Sequence, residues 1–480
     1  MRDLCQPPAR STLESWPRGF ALFLALLFVV KMAIILILGT VSFEDSGLYV
    51  HMGEMILSDP SWLTDGHWGL GLASDRLFRP YGYPLLIAAA KWTGGTHFWS
   101  LVALLQVAGS VAALALVGLM AKAFVTRPAL WWAVVGLCAL SSFQLFDTAL
   151  LTDSLYASLF IIVMVTLVTA TVRGRTLSHG LALMLGIAWA LSISLRDVGL
   201  YYTILPVAWL IAGTRKGGKI LGLGTAFLLP IVGLVGLTLW WNLYRTGHLF
   251  FSLTGTLNWL WPSFNISDQG LGTPFDCADA VCGIVRDHDV GKGMAGVAAV
   301  ADVLTVDWGL DPIALGKVSF AHFLSVVRTH PFAYLVTIIN NMRFDRLADL
   351  AFNPLANLND FIQLGPVIRQ RMLPGTRELF RQIKQGDLAT IPLFLTVGIP
   401  HLLSWLGLAL FLAGAPLVAL KRLGQERRAA AMLGLWITVF IFIGGYSLVH
   451  METRHALPIV PFILVAAAWV VETRLERSSR

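Results

Sequence analysis

Charge is scarce in this chain: Asp, Glu, Lys and Arg make up only 13% of its 480 residues, where a soluble domain carries roughly 25%. That excludes an ordinary water-soluble core. Basic clusters are also missing. The net charge of +7 is scattered through short loops, so nucleic acid is not an expected partner, and anionic lipid and topology control account for it better. Only four cysteines occur, and no second local pair stands beside Cys277 and Cys282, which argues against a zinc site. Heptads, low-complexity tracts and short-period repeats are absent. So is any soluble, Rossmann-like stretch that could hold a nucleotide sugar.

What the chain does have is apolar sequence. Hydrophobic residues make up 56% and the mean hydropathy is +0.71. Apolar runs recur near 19–40, 98–121, 128–147, 154–172, 180–195, 198–213, 219–241, 391–419, 428–449 and 455–472. A bilayer needs about 20 apolar residues per span and forces each span to satisfy its own backbone. The expected fold is an all-α polytopic membrane protein with about ten transmembrane helices. Residues 1–18 carry Arg2, Arg10 and Arg18. The run after them is too long for a signal peptide and no small-x-small site follows, so an uncleaved first span is expected.

Loop charge orders these spans. Lys122 and Arg127, Arg173 and Arg175, Arg215, Lys216 and Lys219, Lys421, Arg422, Arg427 and Arg428, and Arg474, Arg477 and Arg480 fall in alternate loops. The positive-inside rule then puts both termini in the cytoplasm of a plasma (inner) membrane protein. The outer, periplasmic face receives residues 41–97, a long stretch over 242–388 and the turn before the last span. Three regions result: a transmembrane module over 1–241 with its first outer loop, the outer region 242–388, and the closing helices 389–480. Within the outer region, "RTHPFAYLVTIINNMRFDRLADL" (328–350) has helical spacing suited to a membrane surface. Cys277 and Cys282 lie there too, and an oxidising compartment favours a disulfide over two free thiols.

Candidate chemistry gathers at the outer span ends. In "SFEDSGLYVHMGEMI" (42–56), Glu44 and Asp45 directly follow the first span. They read either as a solvated helix end, where the dipole disfavours acid, or as a general base at a partly dry boundary. In "LFRPYGYPLLIAAAKW" (77–92), Arg79 precedes a Pro-fixed turn and a short helix that carries Tyr83 and is too short to span. Arg79 reads as a snorkelling side chain or as a phosphate clamp. In "LTDSLYASLF" (151–160), Asp153 reads as a helix cap or a second cavity acid. In "LRDVGLYY" (195–202), Arg196 is either the partner of Asp197 or another cation for phosphate. "VHMETRHALPIVPFIL" (449–464) packs His450, Glu452, Arg454 and His455 into six positions at a membrane edge. Lys31, within the first span, is a costly charge for which Asp147 is a conceivable partner.

An acid after the first span, "RP-x-GYPLL" some thirty residues on, "TDSLY" opening a middle span and "E-x-R-x-x-LP-x-x-P" opening the last together resemble the GT-C membrane glycosyltransferases. The branch resembled is that of the dolichyl-phosphate-mannose–protein mannosyltransferases and bacterial aminoarabinose transferases, the family-39-like enzymes. The resemblance covers the N-terminal half and the last thirty residues. It implies a polyprenyl-phosphate-linked sugar donor, no cofactor (a divalent cation stays open), and a lipid, glycan or protein acceptor. It also implies a catalytic acid at Asp45, with Glu44 as the alternative. Arg79, Arg454 and Arg196 would face the phosphate, among Asp153, His455, Glu452 and Tyr83. The chain departs from the pattern in two places. Tyr81 replaces a second proline after Arg79, and His455 replaces a tyrosine after Arg454. Direct displacement would invert the anomeric carbon. The rival readings are a secondary transporter, which would place its charges at midplane in broken helices, a lipid-linked glycan ligase or polymerase, and a non-enzymatic scaffold.

Overall fold

The computed structural model describes residues 17, 19–40, 44–64, 79–141, 144, 146–214, 217–342, 381, 383–386, 391, 399–424, 426–449 and 453–478. The regular elements of length among these residues are helices. The first is α1 (Phe20–Leu38), bounded by Gly19 and Gly39 in positive-φ conformations that an L side chain rarely adopts. It is followed by α2 (Glu44–Ser58), α3 (Gly82–Gly94), α4 (Phe98–Phe124), α5 (Pro128–Leu140), α6 (Thr152–Arg173), α7 (His179–Leu195), α8 (Ile204–Gly213) and α9 (Gly217–Thr246).

Next comes a set of shorter helices: α10 (Thr254–Asn258), α11 (Trp261–Asp268), α12 (Ala280–Asp287), α13 (Gly293–Asp302), α14 (Pro312–Thr329) and α15 (Pro331–Asn341). The chain closes with α16 (Ile399–Ala409), α17 (Ala415–Arg422), α18 (Arg427–Ser447), a 3₁₀ segment (Thr453–Ile459) and α19 (Val460–Ser478).

Among the described residues, 7 helical stretches are long and apolar enough to cross a membrane, and Pro128–Leu140, His179–Leu195 and Val198–Gly213 are apolar but shorter. All three are among the expected ten spans, and only the first, expected over 128–147, is shorter than the apolar run that predicts it. For α5 the reason is local. The run 128–147 ends as helix at Leu140, and beyond it Gln144 and Asp147 turn back to serve Lys31. The Lys31 ammonium donates to the Gln144 carbonyl at 2.6 Å and to the Gln144 amide oxygen and Asp147 carboxylate. Ser110 of α4 donates to the same carboxylate. A charge in a span survives only when paired, and these polar residues leave their helix to pair it.

The bundle core centres on α6 and α19. Tyr156, Phe160, Ile161, Val163 and Met164 of α6 are buried, as are Phe462, Val465, Ala466 and Trp469 of α19. By contrast α1 shows Leu22, Val29, Leu36 and Ile37 outward, which suits a helix facing lipid rather than protein. α3 doubles back on α4, with Tyr83 bonded to Gln106 and Gly94 abutting Leu101. It is the short, non-spanning helix expected after Arg79.

The helices α10–α15 have a separate core of Leu253, Leu260, Phe264, Val281, Ile284, Val300, Leu304 and Leu315. Cys277 and Cys282 are joined as a disulfide beside it. The single helical stretch expected over 328–350 is broken at His330. Pro331 has no amide hydrogen to continue α14, and starts α15 instead. Residues 343–350 lie outside the described set.

Candidate active site at one end of the bundle

The acids after the first span begin a helix rather than end one. α2 starts at Glu44, so Asp45 sits at the positive end of a helix dipole, where a carboxylate is favoured. This corrects the expectation of a disfavoured helix C-terminus. The adjacent Ser46 hydroxyl donates to the Leu150 carbonyl at 2.8 Å, fastening the start of α2 to the chain that enters α6.

Two guanidiniums meet the Asp45 carboxylate, one on each oxygen. Arg79 donates to Oδ1 at 2.9 Å and Arg454 to Oδ2 at 3.0 Å. The three residues come from the first helix pair, the Pro-fixed turn and the entry to the last span, 34 and 409 positions from Asp45. Their side chains remain 22–27% exposed, so the group is neither sealed in the core nor freely solvated. Burial alone would lower the Arg79 pKa; Tyr49 and Asp45 raise it, Arg196 and Arg454 lower it, and the net direction is upward. Arg196 thus lies within electrostatic reach of the same group.

The surroundings hold this triad in place. Tyr49, one turn after Asp45, lies 5.8 Å from the Arg79 guanidinium and edge-on to Tyr83 at 5.2 Å. The Tyr83 hydroxyl donates to the Gln106 amide oxygen at 2.7 Å, and Gln106 donates to the Asp147 and Ala149 carbonyls at 2.9 and 2.6 Å. Tyr83 therefore supports Tyr49, which in turn lies against Arg79. Gly82 is required by a close approach: a Cβ there would stand 2.5 Å from the Ser194 carbonyl oxygen at the end of α7.

A second pair sits alongside. Arg196 is ion-paired with Asp153 and lies 3.2 Å from His455 Nε2. His455 stacks on Tyr446 at 4.2 Å. Asp153 is not a helix cap: Leu151 holds that position with no side-chain bond. Glu452 and His450 lie outside the described residues, and Glu44 is described only as the start of α2.

One cation escaped the sequence reading. Arg245, at the end of α9, donates to the Tyr81 hydroxyl at 2.5 Å and stacks over its ring at 4.9 Å. Its other nitrogens hold Asn242. Tyr81 is the residue that departs from the resembled family's proline, and here that departure is used to anchor the Arg79 turn. An arginine ending an apolar run reads from sequence as a topology signal, so nothing singled it out.

The helices α10–α15 and the turns between them bring Asp279 and His322 to the two cysteines, with ligand atoms within 4.8 Å of one another. With the sulfurs bonded to each other, Asp279 and His322 remain, paired at 2.8 Å. Two side chains are too few for a structural zinc site.

No protein-family model and no curated protein sequence matches the chain. Among solved structures it is similar to an oligosaccharyltransferase from Archaeoglobus fulgidus in its apo form, at 14% identity and a TM-score of 0.45, covering 97% of this chain and 52% of that one. It is also similar to the archaeal oligosaccharyltransferase AglB from Archaeoglobus fulgidus in complex with an inhibitory peptide and a dolichol-phosphate. There the identity is 13% and the TM-score 0.45, over 96% of this chain and 51% of that one. The chain thus spans about half the length of the proteins it resembles in structure. At this depth of likeness, what the chain does has to be argued from its own residues.

Proposed function

We propose that the chain is a membrane glycosyltransferase that takes a sugar from a polyprenyl-phosphate donor at its outer face. The observation that carries this reading is the Asp45 carboxylate spanning Arg79 and Arg454, three remote parts of the chain meeting where the bundle ends. A pair of guanidiniums facing one small anion is what a departing phosphate needs, because its charge grows as the bond to the sugar breaks. The prenyl tail lies in the bilayer, a solvent no water-soluble enzyme could offer it.

The reaction then balances simply. The acceptor hydroxyl or amine attacks the anomeric carbon, the bond from that carbon to the phosphate oxygen breaks, and the electron pair leaves with the phosphate. Asp45 takes the proton from the acceptor. Attack opposite the leaving group inverts the anomeric centre. Arg196, held by Asp153 and His455, is a third cation for the phosphate. The helices α10–α15 form the acceptor side, and the acceptor is a lipid, a glycan or a protein.

The test is turnover. Purified protein is incubated with a panel of polyprenyl-phosphate sugars and acceptors of each class, and released prenyl phosphate is measured. Release from at least one donor is expected. Failure across the whole panel by folded protein would sink the reading.

A further inference from the structure

Helix α15 is built inside out for a water-exposed helix. Phe332, Leu335 and Ile339 form a stripe at i, i+3 and i+7 and are 77%, 51% and 57% exposed. Tyr334, Thr337 and Asn341 form a second stripe at the same spacing, and Thr337 and Asn341 are buried. In water the arrangement would be reversed.

The inward stripe has an unusual target. Asn341 donates to the Ser447 carbonyl at 3.2 Å and Tyr334 to the Leu448 carbonyl at 2.7 Å. Asn265 of α11 donates to the Val449 carbonyl at 3.3 Å. These are carbonyls at the C-terminal end of α18, which has no intrahelical partners to offer its last turn. Burial pushes the Tyr334 phenol up to about 12, so it stays a donor through the neutral range. Only residues 450–453 separate this corner from Arg454. Leu448 itself is 48% exposed, and the bonds from Tyr334 and Asn341 set α15 level with the end of a membrane-crossing helix. An apolar face at that depth meets the acyl–headgroup boundary.

We propose that α15 seats in the outer lipid leaflet through Phe332, Leu335 and Ile339, and that its inward stripe passes this seating to the corner that carries Arg454. α15 then acts as a positioning element, and the surface of the bilayer sets where one guanidinium of the site stands. The second half of this inference rests on the phosphate-binding reading of Arg454; the first half does not.

The seating is tested by fluorescence. In a Cys5→Ser background, a thiol-reactive bimane is placed at Leu335→Cys and, separately, at the exposed outer position Asp287→Cys. Each protein is reconstituted into phosphatidylcholine vesicles with and without brominated acyl chains. Quenching is expected at 335 and not at 287; a label at 335 as bright as the one at 287 overturns the seating.

The coupling is tested by kinetics on Phe332→Asp/Leu335→Asp. The KM for donor should rise about tenfold, roughly 1.4 kcal/mol, with kcat at saturating donor unchanged. The same pair in an Arg454→Ala background should produce no further rise, because coupled residues are non-additive. An unchanged KM in the double variant, or an equal rise in both backgrounds, overturns the coupling. If no donor is turned over by the unsubstituted protein, the functional reading fails and the quenching still decides the seating.

Discussion

Asp45 carries the heaviest charge burden of any residue at the site, since each of its oxygens faces a different guanidinium. Asp45→Asn preserves its shape and one acceptor while removing the charge and the proton-accepting ability. Transfer is expected to fall by roughly 10²–10⁴-fold, the usual contribution of a general base, with the protein still folded because the site is partly solvated. Initial rates of prenyl phosphate release on matched amounts of monodisperse protein measure this, and near-normal turnover would remove Asp45 from the chemistry. Lysine at Arg79 or Arg454 should retain more donor use than alanine, though less than arginine, whose fork suits phosphate better than a point charge does. At this scale the sequence was informative wherever a charge interrupted an apolar pattern. Asp45, Arg79, Arg196 and Arg454 stand out because lipid makes each of them expensive. Arg245 and Tyr49 did not stand out: one resembles a topology signal and the other an interfacial aromatic. Their use depends on contacts between helices far apart in sequence.

Between residues and the whole molecule, helices transmit position. α1 presents little of itself to the protein and is tied by Lys31 to Asp147 and Gln144, with Ser110 donating to the same Asp147 carboxylate. Losing one member of a buried pair leaves the other uncompensated, which typically costs about 3–5 kcal/mol, whereas replacing both with apolar residues can be neutral. Lys31→Met or Asp147→Asn alone should therefore lower the thermal midpoint clearly, and Lys31→Met with Asp147→Leu should recover most of the loss. A double variant as unstable as the singles would show that the pair does more than compensate charge. The Gly82 contact makes a sharper test of α3. Gly82→Ala drives a methyl into the Ser194 carbonyl, and overpacking of this kind costs about 1–3 kcal/mol. Because Arg79 stands three residues before Gly82, activity should fall further than stability, as seen by comparing turnover with melting. Helix existence was readable from the apolar runs. Helix ends were not, because they are set by tertiary demands: α5 stops early so that Gln144 and Asp147 can reach Lys31, and α14 stops at Pro331, within a pattern that reads as continuous.

For the molecule as a whole, the distribution of charge separates two ends. Asp45, Arg79, Asp153, Arg196 and Arg454 gather where α2, α3 and α6 begin and α7 stops. At the other ends of these helices and their neighbours stand Lys122, Arg173, Lys421, Arg422, Arg427 and Arg428. There a cavity of about 690 Å³ is lined by Arg422, Glu426, Arg427, Arg428 and Glu472, and Glu472 accepts from the Thr126 and Arg127 backbone. Basic residues are retained on the cytoplasmic side of a membrane, and on that rule we propose that this end lies in the cytoplasm and the Asp45 end, with α10–α15, faces out. The same placement makes sense of the Cys277–Cys282 bridge, since disulfides persist in oxidising compartments. Both arguments are tested by one labelling experiment in intact cells, again in the Cys5→Ser background. A membrane-impermeant maleimide should modify Asp287→Cys and spare Arg175→Cys until the membrane is permeabilised. The opposite pattern would turn the site toward the cytoplasm, where a sugar could come from a soluble nucleotide donor and the case for a lipid-linked one would be lost.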